Sequence, residues 1–360
     1  MEAGKGMRAL LVAVGVAVAV AAPMPASPRD DAPAKAAAPH DPASPPVHRF
    51  FLGGDGVLSI ENAHTHEKIV VRYRDVNGHY SEDALAKLDG LFRSRGDDAE
   101  TRVSLRLVEM IDYLEDHEHP KPLLLVSGYR SEGYNAALIA KGGQAARTSM
   151  HTEGLAADMV FTGVDHHALW LRIRNLDCCG AGYYKKSGFL HVDTGKPRFW
   201  EETSSRVADN LSQGNARVIA RTDFDRYGDV VGLEATLHAI TLHPLRVSNR
   251  AALVAEDGGA ELARLKLTAP DVGVTDEQGC ITVDGRNAGA REVLRVAEVE
   301  PLAPGGAETA PVRKDVALRA RVALTTCEPR LEATPARIDT NPIEVSAAAL
   351  QARQRVPGGG

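Results

Sequence analysis

The chain has 360 residues and a mass of 38.4 kDa, which exceeds one typical domain and leads us to expect about two folded units. Apolar residues make up 44% and charged residues 25% of it, as in ordinary soluble globular proteins. The formal net charge of -6 provides no polybasic surface, so nucleic acid is excluded as an expected partner.

The first residues have the pattern of a secretory signal peptide. Lys5 and Arg8 precede an uncharged apolar run from Ala9 to Ala22. This run is shorter than the roughly 20 residues that a membrane-spanning helix needs, and small residues follow it as cleavage positions. We therefore predict a signal peptide over residues 1–26 and an exported protein of the periplasm or cell envelope, without stable membrane insertion after cleavage. A retained anchor is the alternative.

Two segments of low complexity flank the folded sequence. Residues 27–46 are rich in Ala, Pro and Asp and cannot bury enough apolar surface to offset chain entropy, so we predict a linker. Residues 342–360 end in Pro-Gly-Gly-Gly and are predicted to be a flexible tail. Two domains remain, over residues 47–200 and residues 201–341.

The first domain begins with two β-prone runs, Val57 to Asn62 and Lys68 to Tyr73, which indicate a hairpin. Ser81 then opens a helical pattern, and a second helical pattern begins near Val103. The continuous apolar run from Leu123 to Val126 is typical of a buried strand. This mixture of helices and strands predicts an α+β domain.

The second domain has a different texture, with alternating polar and apolar residues and frequent turn residues. This pattern favours a β-sandwich or a similar module, and it contains no converging set of catalytic groups. We expect an accessory domain. The strand-like segments are Thr236 to Leu245, Leu262 to Leu267, Cys280 to Val283 and Val316 to Leu324.

Export would place the four cysteines in an oxidising compartment, where Cys280 and Cys327 are able to pair. Cys178 and Cys179 are adjacent, and a bond between neighbours closes a strained ring. We therefore expect these two thiols to be free or paired elsewhere.

A metal site is indicated by three residues of the first domain. His151 and Asp158 are seven residues apart with Gly154 between them, so a tight bend there would aim both side chains at one point. Asp158 belongs to a strand-like segment, and His191 lies in another. Two imidazoles and one carboxylate suit a catalytic zinc, which commonly has three protein ligands and an open fourth position.

Three motifs follow one another in this domain. They are Ser127-Gly128-Tyr129-Arg130-Ser131 with Asn135, the segment Ser149 to Asp158, and Gly182-Tyr183-Tyr184 leading to Gly188-Phe189-Leu190-His191-Val192-Asp193-Thr194-Gly195 and Trp200. Together they resemble the D-Ala-D-Ala metallopeptidase family, in its branch of periplasmic murein endopeptidases. The resemblance covers about Val47 to Trp200.

The resemblance implies a small α+β fold around an antiparallel sheet. It also implies that His151, Asp158 and His191 hold one zinc ion per chain. Arg130 matches the Tyr-Arg-Ser motif, which implies a guanidinium that holds a substrate carboxylate or stabilises an oxyanion. A structural salt bridge is the alternative role for Arg130.

The general base is the point at which the sequence departs from this family. Many relatives have an acidic residue three positions before the last zinc histidine, where this chain has Gly188. Asp193 shares a strand face with His191 and is our candidate for the base, which would remove the proton of the attacking water; a partner that orients the imidazole is the alternative role. Glu153 is a weaker candidate for the base.

The resemblance implies zinc-dependent hydrolysis of amide bonds in peptidoglycan stem peptides or their cross-links. A carboxypeptidase or dipeptidase that releases D-alanine is the nearest alternative, and a non-catalytic zinc-containing wall-binding protein is the alternative of another class. We expect residues 47–200 to perform the chemistry without the second domain, which would then affect delivery.

Overall fold

The computed structural model describes residues 49–143, 145–146, 148–205, 215–240, 245–257, 259–269, 275–283, 292–300, 317–327, 334–346 and 350. The predicted signal peptide and linker lie outside these ranges, as do residues 347–349 and 351–360 of the predicted tail. Within the described residues, no helix is both long and apolar enough to cross a membrane.

The first half of the described chain folds into a seven-stranded sheet with four α-helices. The strands are β1 (Val57–Asn62), β2 (Lys68–Arg72), β3 (Leu123–Ser127), β4 (Ala156–Phe161), β5 (Gly180–Tyr184), β6 (Phe189–Asp193) and β7 (Arg198–Glu201). The helices are α1 (Glu82–Leu91), α2 (Leu105–Glu118), α3 (Glu132–Ala140) and α4 (His166–Leu176), with 3-10 turns at Met150–Glu153 and Glu202–Ser204.

This sheet is mixed, with the strand order β2-β1-β3-β4-β6-β5-β7. The central pairs β3/β4, β4/β6 and β5/β6 are antiparallel, whereas β1/β3 and β5/β7 are parallel. The antiparallel sheet that the resemblance implies is therefore present at the centre, and a parallel pair adjoins it on each side. Helices α1 and α2 form the long crossover that allows β3 to run parallel to β1.

Helices α1 and α2 pack their apolar faces against the sheet, as the sequence pattern predicts. Ser81 caps α1 by accepting a hydrogen bond from the Ala84 backbone nitrogen at 3.3 Å. Leu88 of α1 and Leu107 and Ile111 of α2 are completely buried in the core against the strands. Each such side chain contributes roughly 1.5–3 kcal/mol of transfer free energy, so this packing holds the sheet that carries the site.

The second half of the described chain forms a ten-stranded sheet. Its main order is β8-β10-β14-β12-β11-β15-β17-β9, while β13 pairs with β11 and β16 with β15. The strands are β8 (Ile219–Thr222), β9 (Arg226–Tyr227), β10 (Glu234–His238), β11 (Leu245–Ala255), β12 (Glu261–Thr268), β13 (Cys280–Val283), β14 (Glu292–Glu300), β15 (Ala317–Thr326), β16 (Arg337–Asp339) and β17 (Ile343–Ser346).

Strand β17 lies where the sequence suggested the start of a flexible tail. It pairs with β15, and its Ile343 and Val345 are completely buried. The folded part of the chain therefore extends beyond residue 341.

The two sheets are in direct contact, and their described residues belong to one compact unit. Arg106 of α2 donates to the Thr222 carbonyl at 2.9 Å and forms an ion pair with Asp225. The Asp225 carboxylate also accepts from the Phe51 backbone nitrogen at 3.0 Å. The second sheet is thus anchored to the segment before β1 and to α2.

The cysteines form two disulfides. Cys280 pairs with Cys327, as the sequence allowed, and Cys178 pairs with Cys179. The expectation for the adjacent pair was therefore wrong. The other two cysteines already bond to each other in the second sheet, so each adjacent thiol has only its neighbour as a partner.

Candidate metal centre

The structure brings together the three side chains that the sequence singled out. The distances are 3.2 Å between His151 Nε2 and His191 Nδ1, 2.9 Å between His191 Nδ1 and Asp158 Oδ1, and 3.3 Å between His151 Nε2 and Asp158 Oδ1. Bonds of about 2.0–2.1 Å in a tetrahedral site separate the ligand atoms by roughly 3.3–3.4 Å. This triangle therefore fits a zinc ion with an open fourth position.

Local backbone structure explains this convergence. His151 lies on the 3-10 turn Met150–Glu153, which ends at Gly154 in the left-handed region, with φ of 66°. Asp158 on β4 and His191 on β6 are directly opposite each other in register. Because opposite residues of an antiparallel pair project to the same face, their side chains meet there.

The protonation of His151 is fixed by a backbone carbonyl. Its Nδ1 lies 2.7 Å from the oxygen of Gly128, and because a carbonyl only accepts, Nδ1 carries the proton. Nε2 is then the nitrogen with a lone pair for a metal. Burial, followed by the charge of Arg130, lowers the pKa of His151, which favours the neutral imidazole that binds metals.

Asp193 fixes the orientation of His191 from the opposite side. The Nε2 of His191 donates to Asp193 Oδ2 at 3.0 Å, so Nδ1 faces Asp158. Asp193 also accepts from the Gly195 backbone nitrogen at 2.7 Å and from both terminal nitrogens of Arg198 at 3.1 and 2.8 Å. Four hydrogen bonds thus surround this completely buried carboxylate.

Asp193 is ionised in this environment. Burial alone would raise its pKa, but Arg198 and then His191 outweigh burial and lower the pKa to about 2. An ionised carboxylate that accepts from the outer nitrogen of a metal-binding histidine is the usual arrangement in metalloproteins.

Arg130 forms the structural salt bridge that was its alternative role. Its Nη2 donates to Asp158 Oδ2 at 2.6 Å, and its Nε donates to Ser127 Oγ at 2.9 Å. Burial opposes ionisation of Asp158, but the two imidazoles outweigh it and hold the pKa of this carboxyl well below its usual range. Arg130 therefore occupies one oxygen of Asp158. The other oxygen faces His151 and His191, and we call these three side chains the metal triangle.

Two glycines of β5 make room for the centre, a feature that the sequence reading missed. Gly180 is paired in register with Asp193, and Gly182 with His191. A Cβ at position 180 would lie 2.3 Å from Asp193 Oδ2, and one at position 182 would lie 2.5 Å from the Trp200 ring. The sequence Gly180-Ala181-Gly182 is visible in the chain, but the need for glycine at these positions follows only from the pairing of β5 with β6.

The metal triangle opens into a cleft of about 860 Å³. Tyr184 and Trp200 form part of its wall, where the Trp200 indole nitrogen donates to the Tyr184 hydroxyl at 3.1 Å. The charged residues that line the cleft include Arg130, Arg198, Arg217 and Glu202. Arg217 and Glu202 lie beyond residue 200, so the cleft is not confined to the first predicted domain.

Gly188, which stands where many relatives have an acidic residue, lies in a turn. Gly188 has φ of 76° and closes the hairpin between β5 and β6 by donating to the Tyr184 carbonyl at 2.8 Å. Glu202 lies against this turn, because its carboxylate accepts from the Lys186 backbone nitrogen at 2.7 Å and from Ser187 Oγ at 2.9 Å. Sequence reasoning missed Glu202, which follows all three family motifs.

Glu153, the weaker base candidate, is directed towards the second sheet. Its side chain is buried, and its Oε2 lies 3.7 Å from Nδ1 of His238 on β10.

Comparisons with known proteins give the same family as the motifs. The family model described as peptidoglycan L,D-endopeptidase MepK matches residues 54–200. The chain is 33% identical over 145 residues to the peptidoglycan L,D-endopeptidase MepK of Escherichia coli K12, covering 40% of this chain and 79% of that protein. It is 28% identical over 147 residues to the probable peptidoglycan L,D-endopeptidase MepK of Haemophilus influenzae, covering 40% and 78%. No solved structure gives a significant match.

Proposed function

The chain belongs to the M15-type family of murein endopeptidases, and from this we propose that it is a zinc-dependent hydrolase of an amide bond in peptidoglycan stem peptides. The observation that carries the proposal is the triangle of His151, Asp158 and His191, with edges of 2.9 to 3.3 Å. Each ligand in it has a hydrogen-bonded partner that fixes its orientation.

The donor set suits zinc rather than calcium or magnesium, which prefer oxygen ligands. His151 would bind through Nε2, His191 through Nδ1 and Asp158 through Oδ1. A zinc ion held there would supply Lewis acidity, which polarises an amide carbonyl and lowers the pKa of water so that hydroxide is available as the nucleophile at neutral pH.

The chain's own residues prepare the site for this chemistry. Arg130 holds Asp158 by its second oxygen, so the carboxylate has one orientation and stays ionised. Gly128 does the same for His151 by accepting from the outer ring nitrogen. These contacts hold each ligand in one orientation, which is the preorganisation that catalysis requires.

For Asp193, the hydrogen-bond pattern favours the orienting role over the base role. Its four hydrogen bonds, from His191, Gly195 and Arg198, occupy both carboxylate oxygens, and it contacts the nitrogen of His191 that is turned away from Asp158. We therefore assign it to the alignment of His191.

Glu202 is our candidate for the general base. Among the described residues that line the cleft, the carboxylates are those of Asp158 and Glu202, and Asp158 is occupied as a ligand. Lys186 and Ser187 hold the Glu202 carboxylate beside the turn where many relatives have their acidic residue. It would accept the proton of the attacking water.

The charge of the cleft suits the proposed substrate. Arg130, Arg198 and Arg217 line it, with Arg130 paired to Asp158 and Arg198 to Asp193, and peptidoglycan stem peptides carry free carboxylates. The names of the relatives favour an L,D bond as the one cleaved. Release of terminal D-alanine is the competing activity, and wall binding without cleavage is the competing function.

The test is digestion of isolated peptidoglycan by the purified protein, with mass spectrometry of the products. We expect newly released stem-peptide fragments, which identify the bond, and their loss on chelation or in His151→Ala. If the protein is loaded with zinc and the peptidoglycan remains uncleaved, the result would favour wall binding without cleavage. Products that have lost only D-alanine would establish the carboxypeptidase.

A further inference from the structure

The second sheet lies outside the part of the chain that the family comparison covers. The family model ends at Trp200, and the matched residues are already 79% of the Escherichia coli relative. That relative therefore has too little additional chain for a sheet of this size. The contacts between this sheet and the metal centre are accordingly a property of the present chain.

One face of the β8–β10 pair is directed at the metal centre. Ile219 and Arg221 are two residues apart on β8, so they project to the same side. His238 of β10 is directly opposite Ile219 in the antiparallel register, which places it on that side as well. These three residues form what we call the buttress face.

The buttress face contacts the segments that carry all three proposed ligands. Ile219 packs against a buried cluster of Met150, Leu155 and Ala156. Met150 directly precedes His151, and Ala156 begins the strand that carries Asp158.

The third segment is the end of β6, which Arg221 contacts directly. Its Nε donates to the carbonyl oxygen of Thr194 at 2.6 Å. The Thr194 nitrogen in turn donates to the Leu155 carbonyl at 3.0 Å. The residue after Asp193 is therefore held from both sides, by β8 and by the segment leading into β4.

Arg221 is an unusual residue for a purely structural contact. It is 7% exposed, and within the part of the chain that the structure describes it forms no ion pair. Burial lowers its pKa to about 10, which leaves it charged at neutral pH. Burying a charge is costly unless hydrogen bonds and nearby opposite charges offset the cost. Here the Thr194 carbonyl and the charges of Asp193 and Asp225 do so.

We propose that Arg221 is a positioning residue for the metal centre, which it reaches from the second sheet through Thr194. By holding the Thr194 carbonyl, it fixes the end of β6 and keeps Asp193 aligned with Nε2 of His191. The inference rests on the proposed zinc site and adds to it that the second sheet is part of the support of that site.

The experiment uses the full chain and compares Arg221→Met with Arg106→Met. Arg106 is the matched control, because it also joins the two sheets, through the Thr222 carbonyl and Asp225, but contacts none of the described ligand segments. Three quantities are measured for each: zinc affinity by competition with a chromophoric chelator, the absorption spectrum of the cobalt-substituted protein, and the thermal midpoint of the metal-free protein.

We expect Arg221→Met to weaken zinc binding by about 10-fold, as loss of an outer partner does, and to shift the cobalt spectrum. Arg106→Met should lower the thermal midpoint of the metal-free protein and leave the affinity and spectrum unchanged. Arg221→Lys, which keeps the charge with a different donor geometry, should fold and give an intermediate spectrum.

An equal loss of zinc affinity in both Met variants, or no loss in Arg221→Met, would overturn the proposal in favour of a simple interface contact. If Arg221→Met does not fold, Arg221→Lys takes its place: a cobalt spectrum identical to that of wild type would also overturn the proposal. Failure of the proposed function is recognised separately, because then wild type and His151→Ala would hold equally little zinc whatever residue 221 is. That result would remove both proposals.

Discussion

Asp193 meets His191 at Nε2, 3.0 Å away, while Nδ1 of the same ring faces Asp158 at 2.9 Å. One imidazole therefore separates the two carboxylates that the sequence placed near the reaction. The carboxylate on the outer side controls the orientation of the ring, and the one on the inner side shares its proposed metal.

This relationship predicts the behaviour of Asp193→Asn. The amide keeps the shape but loses the charge that favours the His191 Nε2 proton, so we expect zinc affinity to fall by about 10- to 100-fold. Turnover should recover when zinc is saturating, because the reacting groups are unchanged. Zinc titration followed by turnover at saturation measures both effects. Wild-type zinc affinity combined with lost turnover would instead make Asp193 the base.

Glu202→Gln should show the reverse pattern. If Glu202 accepts the proton of the attacking water, kcat should fall by roughly 10²- to 10⁴-fold, while zinc affinity stays unchanged. Glu201→Gln is the matched control, because Glu201 is the exposed neighbour and does not line the described cleft. Turnover within twofold of wild type in Glu202→Gln would remove this residue from the chemistry and restrict it to holding the turn at Ser187.

Much of this centre could be predicted because its ligands lie in short local motifs. A bend at Gly154 and a period of two in the strands are local properties, and they were enough to bring His151, Asp158 and His191 together in the prediction. The hairpin of β1 and β2 and the start of α1 at Ser81 are local in the same sense.

The partners of the ligands could not be predicted, because they depend on long-range register. Nothing near Gly180 in sequence indicates that it faces Asp193, since this follows from the pairing of β5 with β6. The contact of Arg221 with Thr194 joins different sheets. The buried strand β17 is short, and its strand structure depends on pairing with β15 on one side and β9 on the other.

The same register makes the glycines of β5 testable. In Gly180→Ala the new Cβ would lie 2.3 Å from Asp193 Oδ2, so the carboxylate must shift away from His191. We expect a loss of about 1–3 kcal/mol in the free energy of unfolding, as for overpacked cores, together with weaker zinc binding. Gly228→Ala is the control, since a Cβ there meets no described atom within 4 Å. Equal stability and zinc affinity in the two variants would show that β5 does not constrain the centre.

The last prediction concerns pH and a carboxylate outside the cleft. Asp112 on α2 is completely buried, and its Oδ2 accepts from the Tyr73 hydroxyl at 2.6 Å and the Gly56 nitrogen at 2.9 Å. Its Oδ1 has no hydrogen-bond partner among the described residues. Burial, which outweighs these hydrogen bonds, raises the pKa from its ordinary 3.8 to about 7.

Because the pKa of this acid is higher in the folded state, the folded protein binds the proton more tightly than the unfolded chain. The associated stability is fully present below the unfolded pKa of 3.8 and is lost as the pH rises through the folded value of about 7.

In Asp112→Asn, which cannot ionise, this loss is absent. Relative to the variant, we expect wild type to lose about 1–3 kcal/mol of unfolding free energy between about pH 5 and about pH 8. Denaturant unfolding at both pH values measures it, with Asp83→Asn, an exposed carboxylate of α1, as the control. Parallel pH profiles for wild type and Asp112→Asn would mean that Asp112 stays ionised in the folded protein.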